Sequence, residues 1–244
     1  MKQQLFIGFC IVFLLTITGC KKDEPELENN FSLNFGAKAN SQTFHNGTIY
    51  TTTGTPSWRY KFAELGYYID NIKVQKEDGT TVLLQDVAFI DFDAPTSFVE
   101  KLPVGNYKAI IFGLGLDPAH NATDPATQAS GPLSTEYSSY FWSWTSLHIF
   151  GKLEGYVETT ANSNNFNEGF VYHIGFDELY RTITLEKNFT VTNDAMKEIE
   201  ATLNLDKVFN GVTFINLLSE NNTQSFDNMP LAQKVLTNIQ NAFE

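Results

Sequence analysis

Residues 71–84 read NIKVQKEDGTTVLL, and this stretch carries the strongest fold signal in the chain. Asp78-Gly79 is a dipeptide favoured in tight hairpin turns, because both residues tolerate the positive φ angles that such turns need. The flanking runs, Asn71–Val74 and Thr81–Leu84, are rich in the β-branched and aliphatic residues typical of strands. The stretch therefore predicts an antiparallel β-hairpin.

The same strand pattern continues on both sides of the hairpin. Period-two alternation or a short apolar run predicts further strands in the segments 31–35, 87–92, 107–116, 147–157, 169–176, 182–191 and 199–205. One helix is expected near the C-terminus, where Pro230 precedes an apolar stripe at helical spacing, formed by Leu231, Val235, Leu236, Ile239 and Phe243. We therefore predict an all-β fold, a single antiparallel β-sandwich with a long loop at Asp117–Ser139 and one C-terminal helix.

Composition excludes several classes of function. The chain has 244 residues, 42% of them apolar and 18% charged, which is enough apolar material for a large core. Its net charge of −12 disfavours nucleic-acid binding, because phosphate contacts need clustered cations. Both cysteines fall within the first 20 residues, which excludes a disulfide scaffold and a cysteine-built zinc site. Because the common hydrolase and nucleotide motifs are also absent, we do not expect an enzyme.

The first 30 residues have the pattern of an export signal. Lys2 precedes an apolar run, Leu5–Ile17, that is shorter than the roughly 20 residues of a bilayer span. The run ends in Ile17-Thr18-Gly19-Cys20, which resembles the lipobox of bacterial lipoproteins. The resemblance implies a signal peptide at 1–19, lipidation of Cys20, a flexible tether at 20–30 and a folded domain at 31–244. A plain signal peptide with an incidental cysteine is the alternative.

The location is expected to be the outer membrane. A lipidated Cys20 would anchor the chain there, facing the periplasm or the cell surface. The tether opens with Lys21-Lys22-Asp23-Glu24, which resembles the surface-export signal of Bacteroidetes lipoproteins. A solvated spacer is the alternative interpretation of this charged run.

Three of the four histidines are candidate metal ligands. His120 lies in the long loop, where ligands often occur. If the aromatic run 140–150 stays extended, Trp142, Trp144 and His148 share one face of a strand. His173 faces away from a bulky strand face, formed by Phe170, Tyr172 and Ile174. Imidazoles without thiolates suit copper or zinc. The alternative is that the tryptophans cover a sheet face and that the histidines are packing residues.

Several short stretches, taken in order, resemble the MbnP-like family, which is named after methanobactin-associated periplasmic copper-binding proteins and includes a branch of Bacteroidetes lipoproteins. These stretches are GYYIDNI at 66–72, LPVGNY at 102–107, GLDPAHN at 115–121, GPL at 131–133, FWSW at 141–144, FGKLEG at 150–155 and HIG at 173–175. The resemblance implies a β-sandwich, an export signal and a mononuclear copper site. That site uses histidine nitrogens and kynurenine, an oxidised tryptophan made by a partner di-haem enzyme.

The resemblance also assigns residues. His173 matches the histidine of HIG, His120 matches the loop histidine, and Trp142 or Trp144 would be the oxidation target. His148 stands where the family usually has tyrosine, so it is an extra imidazole. We therefore expect a non-enzymatic envelope lipoprotein that binds copper, with zinc as the alternative metal, through His173 and His120, with His148 and Trp144 nearby. The alternative function is a metal-free surface module that recognises a protein, peptide or glycan through its aromatic face.

Overall fold

The computed structural model describes residues 28–94, 96–143 and 147–244. Its strands are β1 (Phe31–Ala39), β2 (Gln42–Thr43), β3 (Tyr50–Thr51), β4 (Arg59–Lys76), β5 (Thr81–Asp91), β6 (Thr96–Glu100), β7 (Gly105–Leu114), β8 (Phe141–Ser143), β9 (Leu147–Glu158), β10 (Phe166–Gly175), β11 (Arg181–Val191), β12 (Lys197–Asn204) and β13 (Asn222–Thr223). Its α-helices are α1 (Pro118–Asn121), α2 (Asp206–Asn210) and α3 (Met229–Gln240), and short 3-10 helices span Pro125–Thr127, Thr135–Tyr140 and Asp177–Leu179.

The larger sheet is organised around the long strand β4. It runs in the order β11-β7-β4-β9-β10-β13, with β3 and β5 also paired to β4 and β8 paired to β9. The predicted hairpin is confirmed, since β4 pairs antiparallel with β5 from Gly66↔Asp91 to Gln75↔Thr81. The apolar run 87–92 continues β5 and is not a separate strand. Strand β4 thus connects the hairpin to β7 and to β9, its two neighbours in the strand order of the sheet.

The smaller sheet places β1 between β12 on one side and β2 and β6 on the other. Its central pairing, β1 with β12, is parallel and runs from Phe31↔Lys197 to Lys38↔Asn204. The all-β, sandwich-like architecture is confirmed, but the β1–β12 and β10–β13 pairs are parallel, so the sheets are mixed. An alternating sequence identifies which face of a strand is buried and says nothing about the direction of its neighbour.

Aromatic rings from the two sheets meet in one core. Phe35 of β1 packs against Phe112 of β7 with ring centroids 5.3 Å apart, and Phe31 stacks on Phe189 of β11 at 5.5 Å. The predicted C-terminal helix is α3, and its apolar stripe is buried as expected. The Asn228 side chain accepts a hydrogen bond from the Leu231 N–H and so caps this helix.

The long segment 117–139 is folded into α1 and two of the 3-10 helices. The Tyr68 hydroxyl donates to the Pro132 carbonyl at 2.9 Å and ties the segment to the larger sheet. The predicted signal peptide and Cys20 lie outside the described residues. Within the described ranges, no helix has the length and apolar character needed to cross a bilayer.

Candidate metal centre

An acidic cluster, defined here as Asp70, Asp117 and His120, joins the larger sheet to the start of the long segment. Each of the three side chains offers one potential ligand atom, and these atoms lie within 4.8 Å of one another. His120 Nδ1 is 3.3 Å from Asp70 Oδ2 and 3.4 Å from Asp117 Oδ1. Asp70 is fully buried on β4, whereas the other two side chains are partly exposed. The cluster is therefore a partly buried group of one imidazole and two carboxyl side chains.

The sequence Asp117-Pro118 builds the cluster locally. Asp117 caps α1, because its Oδ1 accepts hydrogen bonds from the N–H groups of Ala119 and His120, both at 2.9 Å. Pro118 follows in the first turn, where its missing N–H costs nothing. The Asp117 N–H donates to Asp70 Oδ2 at 2.7 Å, which fastens the helix start to β4. His120, one turn later, is thereby brought back over both carboxylates.

The surroundings of the cluster shift its pKa values in opposite directions. Burial alone would lower the pKa of His120, but the hydrogen bond with Asp70 and the charges of Asp117 and Asp86 outweigh it and raise that pKa. Burial alone would raise the pKa of Asp117, but hydrogen bonds, above all from the His120 N–H, together with the charge of His120 hold it below its usual value. The cluster therefore favours the imidazolium form of His120 beside the ionised form of Asp117.

A second polar group, the Glu154 cluster, comprises His173, Glu154 and Gln224. His173 Nε2 lies 2.6 Å from Glu154 Oε1, and His173 Nδ1 lies 2.7 Å from Gln224 Oε1. His173 projects from β10 away from the core, as predicted, while Tyr172 and Ile174 are buried on the other face. Both nitrogens of this imidazole are therefore engaged by side chains from separate segments.

Trp142 lies next to the end of the strand that carries His173. A Cβ atom on Gly175 would be 2.5 Å from Trp142 Cζ3, so only glycine leaves room for this ring. The indole also packs against Phe176 and Phe226, with ring centroids 5.6 and 6.0 Å away. Phe176 has a φ of +79°, a region that bulky residues rarely adopt. The backbone is thus strained beside the tryptophan, as is common at functional sites.

The aromatic run 140–150 does not stay extended, so the condition for Trp142 and His148 to share one strand face is not met. Strand β8 folds back on β9, pairing Phe141 with His148 and Ser143 with Leu147. The chain enters β9 through Leu147 at a φ of +58°. Trp142 and His148 therefore belong to different strands and do not share one strand face. Trp144, the other predicted oxidation target, lies outside the described residues.

His148 is buried among aromatic rings. Its side chain contacts the rings of Tyr68 and Phe141, and the residue is 1% exposed. Its Nε2 lies 3.0 Å from the Thr123 carbonyl and its backbone N–H donates to Asn121 Oδ1 at 3.1 Å. Since a carbonyl only accepts, Nε2 carries the hydrogen, and burial lowers the pKa of the ring. As a neutral imidazole, His148 therefore fixes the positions of Asn121 and Thr123 in the long segment.

The three predicted histidines lie in three different surroundings: His120 in the acidic cluster, His148 among buried aromatic rings and His173 in the Glu154 cluster. Within the described ranges, the acidic cluster is the one group of three or more His, Cys, Asp or Glu ligand atoms close enough to hold a metal, and it contains neither His148 nor His173. The metal sites assigned to these histidines from sequence stay predictions. Sequence reasoning did not single out the carboxylates Asp70, Asp117 and Glu154. All three fall inside the quoted stretches. Asp70 joins GYYIDNI to GLDPAHN through Asp117 and His120, whereas Glu154 joins FGKLEG to HIG through His173.

Comparisons with known proteins agree with this architecture. A search of curated proteins finds no match. Among solved structures, MbnP from Methylosinus trichosporium is similar, with a TM-score of 0.57 and 16% sequence identity over 80% of this chain and 82% of that one. At this identity the likeness shows the fold alone. The MbnP family model matches residues 28–229, which include both clusters. The chain therefore belongs to the MbnP family.

Proposed function

We propose that this chain is a copper-binding lipoprotein of the cell envelope that captures or handles the metal and catalyses no reaction. Its membership of the MbnP family supports a copper-related role. The observation that carries the proposal is the acidic cluster, in which the ligand atoms of Asp70, Asp117 and His120 already lie within 4.8 Å of one another. Preformed, convergent donors favour metal binding, because bringing distant side chains together would cost conformational entropy.

The donor chemistry fits copper. One imidazole nitrogen and carboxylate oxygens form a mixed nitrogen and oxygen set, for which divalent copper stands highest in the Irving–Williams order and zinc next to it. Asp70, Asp117 and His120 would hold the ion at this position, and His173 offers a second imidazole in the Glu154 cluster. His120 must give up its proton when the ion binds, so copper affinity should rise with pH through the raised pKa of that ring.

A calorimetric titration of the full-length protein in detergent, with copper and then with zinc, tests the proposal. We expect one copper ion per chain, lost in His120→Ala; loss in His173→Ala alone would reject the acidic cluster as the site. His45→Ala is the matched control, because His45 is an exposed imidazole that pairs with Asp93 away from both clusters. Failure of the wild-type protein to take up copper, or uptake indifferent to both His120 and His173, would reject the proposal.

Two further parts of the proposal concern covalent changes. Lipid attachment at Cys20 would anchor the chain in the outer membrane, and incorporation of labelled fatty acid should be lost in Cys20→Ser.

Conversion of Trp142 or Trp144 to kynurenine by a di-haem partner enzyme should change the mass of the peptide that spans both residues. An unaltered mass in the natively expressed protein would remove the oxidation step.

A metal-free surface module is the second candidate function. It is favoured by Phe226, which is 63% exposed beside Trp142 and Phe176 and so extends an aromatic patch into solvent. Exposed aromatic groups of this kind are common where proteins bind a partner. If this is the function, saturating copper leaves the melting temperature unchanged, whereas binding to the folded state raises it by mass action.

A further inference from the structure

The outer face of the smaller sheet carries a groove of about 700 Å³ that runs along its central strand, β1. The odd-numbered residues of Phe31–Ala39 are buried in the core, so the even-numbered side chains of this strand form the floor of the groove. These side chains are short at Ser32, Asn34 and Gly36. A Cβ atom on Gly36 would meet nothing within 4 Å, so the centre of the floor is open.

The two neighbouring strands supply different walls, in register with the floor. On one side, β12 places Glu198 beside Ser32 and Glu200 beside Asn34. On the other side, β6 places an apolar side chain, Val99, beside the same Ser32. The walls are two strand spacings apart, or roughly 10 Å, which is enough for a single extended chain. The groove therefore has one acidic and one uncharged wall.

The acidic wall is not neutralised by a cation. Within the described ranges, neither Glu198 nor Glu200 forms a side-chain salt bridge. Lys187 reaches this strand, but its ammonium group donates to the Glu200 backbone carbonyl. Lys38, at the end of the floor, pairs with Glu244. The groove therefore carries uncompensated negative charge, which attracts a cationic ligand.

The floor also offers polar groups to a peptide backbone. Ser32 Oγ donates to Asn34 Oδ1 at 2.9 Å, so these two side chains line up along the strand. Asn34 Nδ2 lies 3.4 Å from Glu200 Oε1, which is longer than an ordinary hydrogen bond of this type. A peptide carbonyl can therefore accept from this amide, which leaves the carboxylate for a cation.

The spacing of the two carboxylates indicates the form of the ligand. Glu198 and Glu200 are two residues apart on β12, so their side chains project from one face roughly 6.7 Å apart. Alternate side chains of an extended peptide project with the same repeat. We propose that this groove binds an extended segment of a partner protein with lysine or arginine at alternate positions, so that two successive cations face Glu198 and Glu200. The groove shares no residue with the acidic cluster or the Glu154 cluster, so this binding does not depend on a metal.

Fluorescence anisotropy with two labelled peptides of the same composition tests the proposal. The alternating peptide is Lys-Ser-Lys-Ser-Lys-Ser, and the scrambled peptide, Ser-Lys-Lys-Ser-Ser-Lys, has no two lysines separated by one residue. The full-length protein in detergent should bind the alternating peptide about fivefold more tightly, since the scrambled peptide can satisfy only one carboxylate. Equal affinity would show that the net charge of −12 attracts any cationic peptide, and would overturn the proposal, as would no binding of the alternating peptide.

Substitutions in the groove then locate the binding. Glu198→Gln with Glu200→Gln should weaken binding of the alternating peptide roughly tenfold. Glu136→Gln with Glu178→Gln is the matched control, because it removes the same charge from exposed positions outside the groove and should leave the affinity in place. Gly36→Leu fills the open floor and should abolish binding in a folded protein. Equal weakening by the two glutamate pairs, or undiminished binding after loss of Glu198 and Glu200, would overturn the proposal whether or not Gly36→Leu folds.

Discussion

His120 and His148 are both linked to Asn121 and have opposite electrostatic surroundings. His120 faces three carboxylates, Asp70, Asp86 and Asp117, and its pKa is raised. His148 faces aromatic rings and a carbonyl, and its pKa is lowered by burial. The Asn121 side chain links the two, since it follows His120 in α1 and accepts from the His148 N–H. The residue type is the same, so the neighbours alone decide whether a histidine is a candidate ligand or a packing residue.

The largest loss of stability is expected from removing Asp70, the buried carboxylate beside His120. Asp70→Ala would strand the Tyr180 hydroxyl and the Asp117 N–H, both of which donate to Asp70 inside the protein. Breaking a buried polar group of this kind should lower the free energy of unfolding by about 4 kcal/mol in a urea titration. Asp86→Ala is the control, because the Asp86 side chain is 66% exposed. A cost below about 1 kcal/mol for Asp70→Ala would show that the cluster does not hold α1 to the sheet.

The next largest loss of stability is expected from truncating His148. His148→Ala empties a position between the rings of Tyr68 and Phe141 and should cost about 3 kcal/mol, as for other large-to-small core changes. His120→Ala should cost less than about 1 kcal/mol in the metal-free protein, because the ring is partly exposed. Equal losses for the two variants, measured by urea unfolding, would remove the distinction between ligand candidate and packing residue.

A smaller loss of stability is expected from a substitution at Gly175, which faces both Trp142 and the His148 carbonyl. A Cβ at position 175 would lie 2.8 Å from the His148 carbonyl as well as against the indole, so Gly175→Ala should cost about 2 kcal/mol by overpacking. The tryptophan fluorescence should shift as the ring is displaced. Gly36→Ala is the matched control, because a Cβ on Gly36 of β1 meets nothing within 4 Å. Equal stability of both variants would contradict the close packing of Trp142.

The smallest expected effect concerns how the free energy of unfolding depends on pH. Because the pKa of His120 is raised on folding, its contribution to stability is present below the ordinary value of 6.5 and is lost as the pH rises through the raised pKa. Because the pKa of His148 is lowered, its contribution is present above 6.5 and is lost as the pH falls through the lowered pKa. His120→Gln should therefore flatten the alkaline limb of the stability curve and leave the acid limb. A curve unchanged by His120→Gln would contradict the proposed ion-pair environment.

Part of this arrangement is predictable from sequence. The Asp78-Gly79 turn, the apolar stripe of α3 and the outward direction of His173 all follow from short-range patterns. Asp70 also carried a usable signal, because a carboxylate inside the apolar run GYYIDNI is costly to bury unless it is paired. The identity of its partners was not predictable, since His120 lies 50 residues further along the chain. The antiparallel pairing of β8 with β9 was not predicted either, and Leu147 enters β9 with a positive φ angle that no local pattern indicates.

The parallel pairing of β1 with β12 has a consequence for how the chain folds. Side chains that touch across this pair, such as Asn34 and Glu200, are 166 residues apart in sequence. Contacts of such long range slow folding, because the intervening chain must be ordered before they form. The smaller sheet therefore cannot be completed until β12 has been synthesised, and until then β1 can pair with β2 and β6 while its other edge stays open.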